Sequence, residues 1–543
     1  MKSTNLLLII FLLLKIPQNT YSQQWSVQLG GDRGDGSYTS TSTADGNTFI
    51  AGVFDGSNLI TPIDTLYETT HGDLFLTQID PNGNCLWDKQ IRCTFLDSIN
   101  HSSAYAIVLD EINQSIYVLF QTEGKIDIDT FTSLNWGNRD IALAKFDFNG
   151  NCIWLKSAGG VFTDIATGLT LDSIGDIYIC GQNGQNANFD TITLASNGSF
   201  LAKYNTNGEC LWAKTISNSG FQVNLLEYKN SRLIMTGNNF SDSTMVDTLL
   251  LLHPAGYNSF VITGFDLNGN VLWAKQGIWK FFSNSGVGDF NLDVNGNIYV
   301  GGYFKDTLDL EGNLFISNPG ESAMFLIKLD SIGNFIWSNQ INSIYSSIFS
   351  VSSSLNGNIY ITGRLGDTAI FGNNTIIPNY PIEMFLAHYD SNGNFHGAMH
   401  YGEAIGSSVS QDGNENPYLI THFYNTVNNG IASYTSYGSS DILITKYNIL
   451  DNIQNPERNG NSQLLIYANP NSGKCSIQIP DALQKESELE LKIYSSTGAI
   501  LQNKVLRLNA ETISVDLEYE AAGIYLVTLS DGQRIYRGKI VFE

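Results

Sequence analysis

Asp147-Phe148-Asn149-Gly150-Asn151-Cys152-Ile153-Trp154 decides the fold of this 543-residue chain, because the phrase returns about every sixty residues through the first 450. It recurs as DPNGNCLW at Asp80 to Trp87, NTNGECLW at Asn205 to Trp212, DLNGNVLW at Asp266 to Trp273 and DSIGNFIW at Asp330 to Trp337. A sixth copy, DSNGNFHG from Asp390 to Gly397, keeps the turn and has lost the indole. An apolar run precedes each copy, such as Ile141-Ala142-Leu143-Ala144-Lys145-Phe146. Two β-rich runs joined by Asn-Gly make a hairpin signal, because both central residues of a type I′ turn need positive φ.

Earlier in each unit lies a second pair of strands, legible in GDIYICG (Gly175 to Gly181), GNIYVGG (Gly296 to Gly302) and GNIYITG (Gly357 to Gly363), each entered through a tight turn. That gives four antiparallel strands per unit, and such units repeated radially are propeller blades. A seventh copy runs through Pro417-Tyr418-Leu419-Ile420 and Ile442 to Tyr447 and stops without a closing tryptophan strand. The missing strand matches the other end of the chain, where Gln24-Trp25-Ser26-Val27-Gln28-Leu29-Gly30-Gly31 compares well with Ile153 to Gly160. The expected fold is therefore all-β: a seven-bladed β-propeller over 23–450, its last four-stranded blade closed by the N-terminal strand, followed by a small C-terminal β-sandwich. Such a clasp leaves no open sheet edge between first and last blades.

Lys2 followed by Leu6 to Leu14 and then polar residues to Ser22 reads as a secretory signal peptide over 1–22. No cysteine stands at the expected cut, which argues against a lipoprotein anchor, and no other run approaches the length of a membrane helix. Aromatic residues make up 12% and charged residues 15%, the profile of an all-β globular protein and not of a disordered one. The formal charge is -24, and loss of Lys2 and Lys15 with the leader makes it two units more negative. Nucleic acid and anionic membrane surfaces are therefore poor candidate partners.

Cys85, Cys152 and Cys210 occupy the same position in consecutive units, too far apart for a disulfide's Cα separation of roughly 4.4–6.8 Å, so they are expected to pack as small hydrophobes. Beyond the repeats, 451–462 (DNIQNPERNGNS) reads as a linker, and 463–543 as a compact β module.

This module resembles the C-terminal sorting domain of the Bacteroidetes type IX secretion system. Tyr467-Ala468-Asn469-Pro470-Asn471-Ser472-Gly473 is similar to its opening motif, with Ala468 in place of a proline. Gly498, the segment Gly523-Ile524-Tyr525-Leu526-Val527 and the terminal Lys539-Ile540-Val541 match the rest. The resemblance implies engagement of the type IX machinery, passage through the outer membrane, removal of the tail, and release or attachment to surface lipopolysaccharide. The repeats themselves resemble the bacterial SBBP-type propeller repeats, which carry no assigned reaction.

A scaffold of this kind hosts enzymes and binders alike, so function has to come from sites. The sequence contains no HExxH, GxSxG, GxxxxGK[ST] or CxxC pattern, and its seven histidines are scattered over different units. His396 and His400 stand four apart beside a strand, which is not the helical spacing of a metal pair. The Asp-x-Asn-Gly-Asn loops at Asp80, Asp147, Asp266 and Asp390 invite calcium, but Asp and Asn bonding to their own backbone accounts for them without it. No cofactor is expected. Arg33-Gly34-Asp35 spells an adhesion tripeptide, a short string that arises by chance. Trp136, Trp279, Phe281 and Phe282 depart from the repeat and are the candidate ligand-contacting aromatics, since rigid rings offer large contact area at low entropic cost. The expected role is a non-enzymatic secreted or surface binding module. A polysaccharide-acting hydrolase or lyase is the alternative, and a structural surface protein a second. An enzyme would need unusual carboxylates or histidines in the inner strands, where the sequence reads as Ser, Thr, Gly and ordinary turn aspartates.

Overall fold

A computed structural model of the chain describes residues 21–69, 72–94, 102–217, 220–280, 285–319, 321–372, 374–429, 432–449, 464, 466–467, 473–480, 483, 489–494, 500–506, 512–517, 520, 523–530 and 535–542. The chain divides into two compact units, Met1–Ile449 and Leu450–Glu543. The proposed leader, the linker and Phe281, Phe282, Asn469, Pro470 and Gly498 fall outside the described residues, Tyr21 and Ser22 of the leader excepted.

The larger unit is built of repeated antiparallel meanders. In the third repeat, Ile165–Leu171, Ile177–Asn183, Gly198–Tyr204 and Cys210–Ser217 are hydrogen-bonded in that order. Its two middle strands are apolar without alternation because both their faces are covered: Ile177, Tyr178, Ile179 and Cys180 are wholly buried, as are Phe200, Leu201 and Ala202. The first strands of successive repeats are Asp35–Ser42, Ser103–Asp110, Ile165–Leu171, Phe221–Lys229, Gly286–Leu292, Ser347–Ser353 and Ala404–Gln411. Each lies against the next, and the last lies against the first, which is a β-propeller arrangement. In the seventh repeat the fourth strand is Tyr21–Leu29, paired antiparallel with Asp441–Ile449 so that Leu29 faces Ile442 and Trp25 faces Lys446.

Repeats carry more strands than the four read from sequence. A short hairpin sits between second and third strands, as in Lys125–Ile128 with Phe131–Thr132 and Ala187–Phe189 with Ile192–Leu194. Some of these hairpins reach back to the preceding repeat and extend its sheet: Lys125–Ile128 pairs with Cys85–Thr94, Ala187–Phe189 with Cys152–Gly159, and Thr307–Leu310 with Val271–Lys280. Part of each outer edge, otherwise a row of unpaired backbone groups, is thereby covered. Asp129, Asp190 and Asp247 turn three of the hairpins at φ of 54°, 57° and 50°. The signal in the sequence is an Asp-Thr pair between short apolar runs, and strands of three or four residues are too short for periodicity to register.

The tryptophans act between repeats. Indole Nε1 of Trp25, Trp87, Trp154 and Trp337 donates to the carbonyls of Pro81, Phe148, Thr206 and Ser391, each in the Asn-Gly turn of the following repeat, at 2.9, 2.9, 3.2 and 3.0 Å. The turn glycines lie flat on these rings. A Cβ on Gly83, Gly150 or Gly269 would approach the indole to 2.8 Å, and all three have positive φ. The sixth repeat breaks the pattern for a topological reason. Its indole would cap the turn between third and fourth strands of the seventh repeat, but those strands come from opposite ends of the chain and no turn joins them. Gly397 stands where the tryptophan would be, and Tyr360, His388 and His396 stack in its place, with centroids 4.8 and 4.9 Å apart.

In the smaller unit, Ile466–Tyr467, Lys474–Gln478 and Thr512–Asp516 form one sheet, and Ile500–Leu506, Leu489–Tyr494, Gly523–Ser530 and Ile535–Phe542 another. Ile477, Leu491, Ile493, Val515, Val527 and Leu529 belong to one shared core. Cys85, Cys152, Cys180, Cys210 and Cys475 carry free thiols, and burial pushes those of Cys85, Cys152 and Cys210 up to about 12. Thiols held so far from ionisation are inert packing groups.

Two substitutions test the inter-repeat lock by urea unfolding. Trp154→Ala is expected to cost about 3–5 kcal/mol. Gly150→Ala is expected to cost at least about 1–2 kcal/mol from its left-handed backbone alone, with a further loss from the clash with Trp87.

Candidate functional site

The first strands surround a central cavity of about 550 Å³ to which all seven contribute. Every first strand breaks register against its second strand at the same place: between Ser37 and Thr39, Ala104 and Ala106, Ala166 and Gly168, Val223 and Leu225, Val287 and Asp289, Ile348 and Ser350, and Gly406 and Ser408. These are β-bulges, which re-aim one residue out of the strand's alternation. Of the seven bulged residues, Tyr105, Thr167, Gly288, Phe349 and Ser407 line the cavity. In an otherwise regular repeat the side-chain chemistry at this position differs widely from unit to unit.

Below the bulges the strands are tied together by side chains. Neighbouring first strands share no backbone ladder, so their inner edges would leave N–H groups unpaired. A side-chain oxygen from one strand accepts the N–H of the next. Thr170 Oγ1 takes the N–H of Tyr228 at 3.1 Å, Glu227 that of Leu292 at 2.9 Å, Asp289 that of Val351 at 2.9 Å, and Ser350 that of Val409 at 3.2 Å. The ring is joined at the chain ends by Ser40 to Ser408 and Ser42 to Ser410, hydroxyl to hydroxyl at 2.8 and 2.7 Å.

Two members of this series are carboxyls, and this corrects the expectation that the inner strands hold only Ser, Thr, Gly and turn aspartates. Glu227 also accepts from Asn291 Nδ2 at 3.0 Å, and Asp289 from Ser350 Oγ at 3.1 Å and the Phe290 N–H at 2.8 Å. Both are half-buried, with only the channel lumen to hydrate them. Burial, reinforced by the neighbouring Asp289, pushes the Glu227 carboxyl up to about 8. Burial likewise raises Asp289 to about 7, against the opposing pull of its donors. The sequence signal was an acidic residue a few positions ahead of a turn, Asn230-Ser231 after Glu227 and Asn295-Gly296 after Asp289, indistinguishable by pattern from the many aspartates that serve turns. Only the ring shows which of them face the lumen.

The sequence-derived candidates lie elsewhere. Trp136 is 37% exposed on a loop whose backbone is held by Asp140, which accepts the Trp136 N–H at 2.7 Å, and it does not line the channel. Trp279 is a correction. It is 3% exposed and packs on Phe260 with centroids 5.6 Å apart, because it belongs to the fourth strand Val271–Lys280 and fills the core beneath the next repeat's hairpin. In the tail, Tyr525 is buried, Gly523 and Lys539 pair through their backbones with Phe542 and Leu526, and Gly473 accepts the Leu517 N–H at φ of 104°.

Carboxylates of the Asp-x-Asn-Gly-Asn loops are spent on their own turns. Asp147 Oδ1 accepts the N–H of Asn149 and of Asn151, each at 2.9 Å, and Oδ2 accepts Asn151 Nδ2 at 2.9 Å; Asp80, Asp266 and Asp390 do the same. Partial burial opposes ionisation there, but these donors outweigh it and hold all four carboxyls below the ordinary value. Among the described residues no group of three His, Cys, Asp or Glu side chains is placed to hold a metal ion. His396 stacks on His388 while His400 pairs with Glu383, so the two do not converge. Asp35 of the Arg-Gly-Asp string is 3% exposed and accepts the Gly31 N–H, which removes its carboxylate from any partner's reach.

Residues 465–543 match the model of the secretion system C-terminal sorting domain. The protein is one that is secreted or attached to the cell surface, and its tail engages the type IX machinery. Among the described residues no helix is long and apolar enough to cross a membrane. Over 230 residues, 35% of the chain, it is 22% identical to an uncharacterized WD repeat-containing protein of Acanthamoeba polyphaga mimivirus, and the matched part spans 17% of that relative's length. Solved structures similar to it include a member of the DUF4221 family from Bacteroides vulgatus (8% identity, TM-score 0.32, 79% of this chain and 97% of that one). Another is the periplasmic gluconolactonase of Pseudomonas aeruginosa (10% identity, TM-score 0.28, 69% and 95%). The fold stands on the strand pairing described above and not on these distant likenesses.

The raised carboxyls set a pH dependence. Glu227 and Asp289 keep protons in the folded chain that unfolded Glu and Asp release near about 4, so their contribution is complete below that value and is lost as pH rises through about 7 and 8. The lowered turn aspartates act in the opposite sense and lose their contribution as pH falls below about 4. The melting temperature is expected to peak near about pH 4, where the two windows meet, to fall as pH rises through about 7 and 8, and to level off above that. Glu227→Gln is expected to flatten the alkaline limb in scanning calorimetry.

Proposed function

We infer that the repeats are the blades of a closed seven-bladed β-propeller, that the tail is a small β-sandwich removed after export, and that the exported propeller is a binding module without catalysis. A leader over 1–22 starts that route. The observation that carries the binding reading is the state of the channel carboxyls. Each oxygen of Glu227 and Asp289 accepts a hydrogen bond from its own or the next strand, the arrangement of a structural tie and not of a free acid or base. A second reading, a hydrolase or lyase acting on polysaccharide, draws on the same pair, because carboxyls poised near neutrality in a channel have the protonation that acid–base chemistry uses.

Incubating the full chain with a panel of polysaccharides and peptides separates the two. Binding is expected to raise the melting midpoint by mass action, with no product appearing over prolonged incubation. Release of shortened chains that disappears in Glu227→Gln would replace the binding reading by the enzymatic one.

A further inference from the structure

We propose that the channel mouth formed by the bulged residues binds a neutral saccharide, with Tyr105 and Phe349 as stacking faces and with Thr167 and Ser407, whose hydroxyls donate to the carbonyls of Val223 and Ile420 at 3.0 and 3.2 Å, accepting hydrogen bonds from its hydroxyls. The inference rests on the binding reading above and gives it a site and a ligand class.

Position comes first. Tyr105, Thr167, Phe349 and Ser407 each occupy the bulge of their strand, so they stand at one level of the channel. Tyr105 is 38% exposed although it belongs to a strand at the centre of the ring, and Phe349 is half-buried. A ring left open to a lumen at the heart of a fold forfeits burial that packing would have supplied, and contact with a ligand recovers it. At Gly288 the carbonyl of Ile348 would stand 1.9 Å from a Cβ, so no side chain enters the mouth from the fifth repeat.

Chemistry narrows the ligand. No Lys, Arg or His is among the residues lining the channel, so phosphate, sulfate or uronate would find no charged partner on its wall; the Arg364 guanidinium lies over the Phe349 ring, 5.8 Å from its centroid. Beneath the mouth the walls carry serines, threonines, Asn291, Glu227 and Asp289 interspersed with apolar residues such as Val108 and Leu225, a mixed surface that is more polar than apolar. Flat rings above and hydroxyls below match a pyranose, which offers an apolar face and a rim of hydroxyls. About 550 Å³ falls within the ordinary size range of small-ligand sites. An organic amine is the competing ligand, drawn by the same carboxyls; it is disfavoured because burial raises both towards neutrality and so reduces the charge they lend it.

Calorimetric titration of the full chain tests this with cellobiose, maltose, mannobiose and chitobiose, with digalacturonate and putrescine as charged comparisons. At least one neutral disaccharide is expected to bind, Tyr105→Ala and Phe349→Ala are each expected to weaken it tenfold or more, and Trp136→Ala is expected to leave it unchanged. Circular dichroism and the melting midpoint of each variant separate loss of a contact from loss of fold. Thr167→Val supplies a second variant that removes a single hydroxyl from the mouth, with an expected several-fold loss. Unaltered affinity in Tyr105→Ala and Phe349→Ala, or loss in Trp136→Ala instead, overturns the channel site and leaves a binding module standing. Binding of putrescine or digalacturonate to the exclusion of the neutral sugars overturns the ligand class. Cleavage of a disaccharide overturns the non-catalytic reading and leaves the site in place.

Discussion

Adjacent repeats of this fold share little backbone hydrogen bonding, so its integrity depends on one contact repeated around the ring: the indole of each closing strand laid on the Asn-Gly turn of the next repeat. At each joint a glycine without a side chain lies against the ring, and Trp25, Trp87, Trp154 and Trp337 also donate their indole N–H to a carbonyl of that turn. The contact also explains why the motif is an eight-residue phrase and not a tryptophan alone. Turn and indole are the two halves of one joint, but each phrase supplies the turn for the joint behind it and the indole for the joint ahead. The sixth repeat is the exception that the joint itself requires, since it faces a neighbour that has no turn to offer.

Inside the ring a second set of ties does for the inner edge what hairpins do for part of the outer one. Hydroxyls serve in most places and carboxyls in two, and the geometry is indifferent to which is used. Electrostatics is not. A serine tie works at any pH, whereas Glu227 and Asp289 pass from neutral to charged in the range where a secreted protein lives. Substituting acids for hydroxyls at two consecutive ties therefore places the pH response of the inner ring in one sector of it.

How much of this was legible in the sequence follows from the length scale of each signal. Hairpins closed by Asn-Gly, buried runs such as Ile177 to Cys180 and the chain-end match of Trp25 to Trp154 are local or periodic, and they gave the strand order before any coordinate. The cross-repeat hairpins escaped because Ala187–Phe189 and its like are too short to carry a period. Trp279 was misjudged because two tryptophans in one strand, Trp273 and Trp279, lie an even number apart, and nothing local says that the hairpin of the next repeat covers the second. The channel was hidden for a different reason. Tyr105 and Phe349 are separated by 244 positions of sequence, and only a bulge recurring in every first strand brings them to one level.

Closure by Tyr21–Leu29 carries a consequence for the order of assembly. Gln24 bonds to Asn448 across 424 positions, so the first segment of the ring to leave the ribosome has to wait for the last before it gains a sheet. Until then the seventh repeat is a three-stranded remnant with an open edge, and the chain pays the loop-closure entropy of nearly the whole propeller in a single late step. A secreted or surface protein thus carries a built-in delay. Its ring stays unlocked for as long as either end is held elsewhere.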